Sequence, residues 1–385
     1  MSLAFLCLIL AFLISEKILH DRRLKRIPIR IHVNGTRGKS SVTRQIAAAM
    51  RRSGIRTLAK TTGTAPVLIL PDGSEETIPR RSPANILEQM RVVRRADRLG
   101  VQAIVVECMA LDPVLQSVSE AMMIRSTVGV ITNVRPDHFE VMGDSLDEIA
   151  EALSRTVPAG GVVVTGDRRY FPFFAEAASR KGSRVVLAEA SEGPGKRPPD
   201  GNGLFPENVE IARSVCRLLG LDPDVVDACL DEAAPPGGRA GVYRILIGDR
   251  TVHFVDAFGA NDVESTRILQ ERALARNMCP RPWVALFNNR GDRPLRMKSF
   301  ADGLLSDFPY DQVVITGEGC RLAFRYLRGK VPGKEPIVLS GASPDGLLEE
   351  LLRKLGWKEC TIVGMGNEKG AGEGLAGYFR GNGSR

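Results

Sequence analysis

The chain has 385 residues, which at about 150 residues per domain suggests two or three domains. With 43% hydrophobic and 25% charged residues it reads as a folded globular protein, which excludes a mainly disordered chain and a polytopic membrane protein. Lysine and arginine (53) outnumber aspartate and glutamate (45), and the net charge of +8 favours an acidic partner: nucleotide phosphates, nucleic acid, anionic lipid or a polycarboxylate. Aromatic residues make up only 5%, with no basic strand interleaved with them, which argues against nucleic acid. The seven cysteines show neither disulfide nor zinc spacing, so a reducing cytosol is expected for most of the chain.

Residues 1–15 carry no charged side chain, and the following stretch holds Lys17, Arg22, Arg23, Lys25 and Arg26. Positive charge after the apolar run, not before it, speaks against a cleaved signal peptide. Residues 1–26 are therefore expected to form a membrane-anchor helix with a basic flank, short for a full span. The positive-inside rule places the remaining domains on the cytoplasmic face of the cell membrane.

From Ile27 the pattern alternates. Ile29–Val33 reads as a strand, 39–53 as a helix with Val42, Ile46, Ala49 and Met50 on one face, and Ile55–Ala59 as a strand. Helices are expected at 85–99 and 146–156, with buried strands at Ala103–Val106, Val128–Ile131 and Gly161–Thr165. A Gly/Pro-rich break at 191–203 precedes a helical pair at 208–219 and 223–233. The rhythm then restarts with strands at 252–256, 283–287, 312–316, 336–339 and 361–364. The fold class is α/β: a P-loop-containing parallel sheet domain over 27–245, then a smaller Rossmann-like α/β domain over 246–385, preceded by the N-terminal hydrophobic helix.

Asn34-Gly35-Thr36-Arg37-Gly38-Lys39-Ser40-Ser41 lies between a strand and a helix, where glycines admit phosphate oxygens to backbone N–H groups and the helix N-terminus adds its positive end. Lys39 would reach the outer phosphates and the Ser40 hydroxyl would ligate Mg²⁺. The full G-x-x-x-x-G-K-[ST] pattern is not met, because Val33 occupies its first glycine position. Glu107 ends a buried strand, at the crevice where parallel sheets bind ligands, and is a candidate Mg²⁺ ligand. Asn133, Asp137 and His138 follow the strand at 128–131 and belong to the same edge, with His138 a candidate metal or phosphate contact. Arg290, Asp292 and Arg293 follow the strand at 283–287 and are candidates for substrate or phosphate. Arg91, Arg94, Arg95 and Arg98 share one helix face on which an acidic polymer could lie.

The loop GTRGKSS, the strand-end Glu107 and the TN…DH segment together resemble the Mur ligase superfamily of ATP-dependent amide ligases. A narrower resemblance runs over nearly the whole chain. KTTGT (60–64), RRSPANILEQ (80–89), ECMALDP (107–113) and GMGNEKGAGE (364–373) are similar to the ligase subunits of poly-γ-glutamate synthases. It implies ATP and Mg²⁺, with Lys39, Glu107 and His138 catalytic and Ser40, Glu107 and His138 on the metal. Gly35, Thr36, Arg37, Gly38, Lys39, Ser40 and Ser41 would hold the phosphates, Asn208 the adenine, and Asp256 and Asn261 the ribose. Lys60, Thr62, Arg290 and Arg293 would meet substrate. It implies an enzyme that polymerises glutamate through γ-carboxyl amide bonds by way of an acyl phosphate, on an acidic polyglutamate chain, with small membrane subunits and with self-association left open. A folylpolyglutamate-type ligase and a membrane-bound P-loop ATPase are the alternatives. Two departures stand out. Residues 148–157 contain no lysine where many Mur-type ligases carry a carbamylated one, and the Pro-Gly-Arg turn is altered to PPGGR at 235–239.

Overall fold

The structure, a computed structural model, describes residues 3–62, 66–79, 84–136, 139–189, 205–230, 241–260, 262–275, 279–331, 335–339 and 343–383. The chain divides into two compact units between Pro235 and Pro236, ahead of the expected boundary near 245. The PPGGR turn itself lies outside the described residues.

In the first unit α1 (Leu3–Arg26) leads into β1 (Ile29–Asn34), α2 (Lys39–Arg52) and β2 (Thr57–Thr61). Two three-residue strands, β3 (Val67–Ile69) and β4 (Glu75–Thr77), precede α3 (Glu88–Arg98), β5 (Ala103–Glu107) and α4 (Pro113–Val118). A π-helical turn at Ser119–Ile124 leads to β6 (Val128–Ile131), α5 (Phe139–Met142), α6 (Leu146–Ser154), β7 (Val162–Thr165), α7 (Phe171–Ser179) and β8 (Arg184–Leu187). α8 (Pro206–Leu218) and α9 (Pro223–Leu230) close the unit.

The sheet runs β4-β3-β2-β5-β1-β6-β7-β8 among the described residues. It is parallel from β2 to β8, and the β2–β3–β4 pairings are antiparallel. Its central strands are valine- and isoleucine-rich and wholly buried, as a sheet covered on both faces requires. α2, α8 and α9 pack on one face through Val42, Ile46, Met50, Val209, Val215 and Leu230. α3 and the π turn cover the other face beside Ile104 and Val106, and α6 and α7 pack beside Ile131 and Val163. Val33 is opposite Glu107, and Asn34 is opposite Ile131. That register brings the ends of β1, β5 and β6 to one edge. β1 connects towards β2 and β5 back across to β6, so this edge is a topological switch point, where such sheets open a crevice.

The expected membrane-anchor helix needs correction. α1 forms, but among the described residues no helix is long and apolar enough to cross a membrane. Its second half belongs to the globular unit. Leu24 is buried, and His20 Nε2 meets the Met123 carbonyl at 2.9 Å. Glu16 pairs with Arg94, Asp21 with Arg125, and Arg26 with Asp97. These polar groups interrupt the apolar run at Glu16. Before it, Phe5, Leu8, Leu10, Phe12, Leu13 and Ile14 are exposed.

The second unit has a six-stranded sheet among the described residues, ordered β13-β12-β11-β14-β10-β9. β9 (Val242–Ile247) is antiparallel to β10 (Arg250–Asp256), so this sheet begins before residue 245. α10 (Val263–Ala275), β11 (Trp283–Asn289), α11 (Pro294–Phe300), β12 (Gln312–Gly317), α12 (Cys320–Leu327) and β13 (Ile337–Val338) follow in turn. α13 (Pro344–Leu355), β14 (Glu359–Gly366) and α14 (Ala371–Asn382) complete it. α13 and α14 bury Leu348, Leu351, Leu375 and Phe379 against Phe254, Leu286 and Ile362 of the sheet.

Candidate functional site

The loop between β1 and α2 is shaped by two glycines. Gly35 has φ 127°, and a β-carbon there would lie 2.0 Å from Thr132 Oγ1. Gly38 has φ 83°, and a β-carbon would lie 2.3 Å from Asn208 Oδ1. No other residue type fits either place. Gly38 is also the N-cap of α2 and offers no side chain to its first turn. The free N–H groups and the helix dipole therefore face the loop, the arrangement that binds anions.

The segment after β6 holds the loop in place. Asn133 Oδ1 accepts from Thr36 Oγ1 at 2.7 Å and from the Arg37 N–H at 3.0 Å. Thr132 Oγ1 and Asn133 Nδ2 donate to the Arg37 carbonyl at 2.5 and 3.2 Å. Lys39 bends back, donating to the carbonyls of Gly35 at 2.6 Å and Thr36 at 3.3 Å. Its ammonium thus lies against the backbone of the loop.

Ser40 Oγ donates to Glu107 Oε2 at 2.7 Å, and the Thr62 N–H donates to the same oxygen at 2.7 Å. Glu107 is buried, and Gln89 Nε2 donates to its carbonyl at 3.1 Å. A hydroxyl and a carboxylate in contact at the start of a helix are hard oxygen donors suited to Mg²⁺. Among the described residues no cluster of three His, Cys, Asp or Glu side chains could hold a metal; Asp137 and His138 lie outside the described residues. Ser41 follows on the first turn of α2, half-buried.

Lys60 is turned inward. Fully buried at the end of β2, it pairs with Glu88 Oε2 at 3.2 Å and donates to Gln89 Oε1 and Met109 Sδ, each at 3.2 Å. It is therefore in the layer behind Glu107, while Thr62 is the residue of this pair whose backbone reaches the Glu107 carboxylate. Asn208 is buried in the first turn of α8, against Gly38. The arginine stripe on α3 is partly neutralised, with Arg94 paired to Glu16 and Arg95 to Glu76. On α6, where a lysine is missing, Glu148 accepts from the Asp144 N–H at 2.6 Å and Asp147 accepts from the Tyr170 hydroxyl.

In the second unit Asp256 ends β10, buried, and accepts from Arg380 of α14 at 2.9 Å. Burial pushes its carboxyl above the usual range and the guanidinium opposes that shift. Arg290 pairs with Asp292 at 2.6 Å, and Arg293 is the N-cap of α11. Asn261 lies outside the described residues. Beyond the expected residues, Arg296 donates to Asn367 Oδ1 at 2.7 Å and the buried Asn288 donates to the Lys369 carbonyl at 2.9 Å, which ties the ends of β11 and β14 together. Asparagines at successive strand ends were the available signal for it in the sequence.

Residues 33–197 match the family model for the Mur ligase middle domain, and residues 242–382 that for the poly-gamma-glutamate synthase CapB C-terminal domain. The chain is 33% identical over 371 residues to PGA synthase CapB of Bacillus subtilis (strain 168), covering 95% of this chain and 94% of that protein. It is 34% identical over 370 residues to the capsule biosynthesis protein CapB of Bacillus anthracis, covering 94% and 78%. Among solved structures it is similar to MurF from Acinetobacter baumannii (TM-score 0.66, 15% identity, covering 95% of this chain and 80% of that one). It is also similar to E. coli FolC in complex with DHPP and ADP (TM-score 0.61, 14% identity, 95% and 92%). At these identities the structural likeness speaks to fold alone.

Proposed function

The chain belongs to the CapB family of poly-gamma-glutamate synthases, with a Mur ligase middle domain, and from that premise we propose how its residues carry out ATP-dependent amide ligation. The substrate is a glutamate-terminated chain, and the bond formed is a γ-carboxyl amide. A free carboxylate is a poor electrophile, because amine attack would expel oxide. Transfer of the terminal phosphate of ATP to that oxygen makes it a leaving group, and the incoming amine then displaces phosphate. The observation that carries the reading is the Ser40–Glu107 contact at 2.7 Å beside a glycine loop whose helix start has no side-chain cap.

In this reading the N–H groups of residues 35–41 and the Lys39 ammonium bind the outer phosphates, and their fixed charges offset the negative charge of the transfer. Ser40 and Glu107 would hold Mg²⁺, with His138 a further candidate. The ion supplies charge neutralisation on the phosphate oxygens. Thr62 orients the Glu107 carboxylate through its N–H, and Lys60 with Gln89 stiffens the strand ends behind it. Asn208 is the first unit's candidate for the adenine, and Asp256, Asn261, Arg290 and Arg293 are the second unit's candidates for ligand contacts.

We place the enzyme at the cytoplasmic face of a membrane, in the company of small membrane subunits. Support comes from the exposed apolar residues of α1 before Glu16 and from the basic residues after it. The test of the reaction is glutamate-dependent release of ADP, with hydroxylamine trapping the acyl phosphate as a hydroxamate. ATP turnover that is independent of glutamate and yields no hydroxamate would overturn the reading. Running L- and D-glutamate separately reads the stereochemistry.

A further inference from the structure

The phosphate loop is gripped from two sides. On one side Thr132 and Asn133, following β6, hold the backbone of Thr36 and Arg37. On the other, Asn208 of α8 is packed so closely on Gly38 that no β-carbon could enter between them. The two flanks are joined to each other. Arg135, two residues beyond Asn133, donates its backbone N–H to Thr36 Oγ1 at 2.9 Å, and its guanidinium to Glu207 Oε1 at 2.8 Å. Glu207 immediately precedes Asn208 in the first turn of α8. The Arg135 side chain is 14% exposed and that of Glu207 34%, so the pair is partly withdrawn from bulk solvent. It is thus screened less than a surface pair would be. The start of α8 has no side-chain cap of its own, and its core residues, Val209, Ala212 and Val215, pack in the cluster shared with α2 and the sheet. To that packing the ion pair adds a tie between the helix start and the far flank of the loop.

We propose that Arg135 and Glu207 form a clasp across the phosphate loop, and that Arg135 is a positioning residue which sets nucleotide affinity by keeping Asn208 seated on Gly38. The proposal rests on the reading that residues 35–40 take nucleotide phosphates. A residue that acts only by aligning the nucleotide's seat changes how tightly ATP is held and leaves the transfer step almost untouched.

The experiment uses the full chain, with a fluorescent ADP analogue plus Mg²⁺ to measure affinity, steady-state kinetics to separate KM for ATP from kcat, and thermal melting to check folding. Arg135→Gln and Glu207→Gln are each expected to weaken analogue binding and raise KM for ATP by roughly fivefold to tenfold, a part of what one charge-assisted hydrogen bond is worth, since the contact acts on the nucleotide only through Asn208, with kcat within about twofold. The double variant is expected to lose less than the sum of the two single losses, because the shared contact is counted in both. Exchange of the charges, Arg135→Glu with Glu207→Arg, is expected to recover part of the affinity. Unchanged affinity in both single variants would overturn the clasp while leaving the phosphate loop standing, as would losses that add fully in the double variant. Should a single variant melt early, the charge-exchanged pair decides: partial recovery of affinity over the single variants supports the clasp, and no recovery overturns it. Absence of analogue binding by the unaltered chain would overturn the phosphate-loop reading and the clasp with it.

Discussion

Ser40 and Glu107 are 67 positions apart in the chain, yet the serine hydroxyl donates to the glutamate carboxylate at 2.7 Å. The contact exists because β1 and β5 are paired in a register that sets Val33 opposite Glu107, so the loop after β1 and the end of β5 emerge side by side. Glu107→Gln keeps the shape and removes the charge. The Mg²⁺ concentration for half-maximal ADP release is expected to rise about tenfold or more. A Mg²⁺ titration identical to that of the parent enzyme would remove Glu107 from the metal site.

Lys39→Ala removes the ammonium that lies on the Gly35 and Thr36 carbonyls. Loss of one preorganised charge at a phosphoryl-transfer site typically costs about 10²–10³ in kcat. Glutamate-dependent ADP formation is expected to fall by at least that factor, with the melting temperature unchanged. Retention of more than a tenth of the parent rate would contradict the assignment.

Gly38→Ala meets two obstacles at once, a positive φ of 83° and an Asn208 oxygen 2.3 Å from the new methyl group. The backbone conformation alone costs about 1–2 kcal/mol for a residue with a β-carbon, and relief requires the Asn208 side chain or α8 itself to move away. The rise in melting temperature that ADP and Mg²⁺ produce in the parent protein is expected to vanish in this variant. An undiminished shift would show that Asn208 yields without consequence for the nucleotide.

His32, on the α3 face of the sheet, gives a pH dependence. It is fully buried and meets Glu120 Oε2 at 2.8 Å, while Glu120 Oε1 accepts from the N–H and hydroxyl of Ser126. Burial pushes the imidazole down, but Cys108 and Glu120 outweigh it and lift its pKa to about 10. A raised pKa stabilises the fold fully below the unfolded value of about 6.5, and that contribution fades as pH climbs towards 10. His32→Leu strands a buried carboxylate and is expected to cost about 3–5 kcal/mol near neutrality. Denaturant melts of both proteins between pH 6 and 10 should show that gap narrowing with rising pH. A gap that is constant with pH would disprove a charged His32.

The N-terminal helix separates into two halves by deletion. Removing residues 1–14 is expected to leave the melting temperature unchanged and to abolish sedimentation with phosphatidylglycerol vesicles. Removing residues 1–26 also takes away buried Leu24, worth about 1.5–3 kcal/mol, together with the Glu16 and Asp21 ion pairs, and is expected to destabilise the unit measurably. Equal stability of the two truncated forms would contradict the packing of α1, and vesicle binding by the shorter truncation would place the membrane contact elsewhere.

The glycine loop between β1 and α2 and the core strands were legible in the sequence because their signals are local: glycines between a valine-rich run and an amphipathic helix. β3 and β4 were not, since three-residue strands bearing exposed Glu75 and Glu76 show no apolar alternation. The fate of Lys60 was equally hidden. Its partner Glu88 lies on another element, and nothing local marks a lysine as buried. The arginine face of α3 followed from helical spacing, but the carboxylates that neutralise two of its members, Glu16 and Glu76, come from α1 and β4. Pairings of this kind are set by tertiary register, which a single sequence does not spell out.

Because α1 is one unbroken helix of 24 residues, about 36 Å at 1.5 Å per residue, its two halves behave as a single rod. The half embedded beside α3 is the handle, and the half ahead of Glu16 is the tip. Whatever captures the tip is thereby coupled, through the handle's ties to Arg94, Met123 and Arg125, to the unit that carries the loop at residues 35–40.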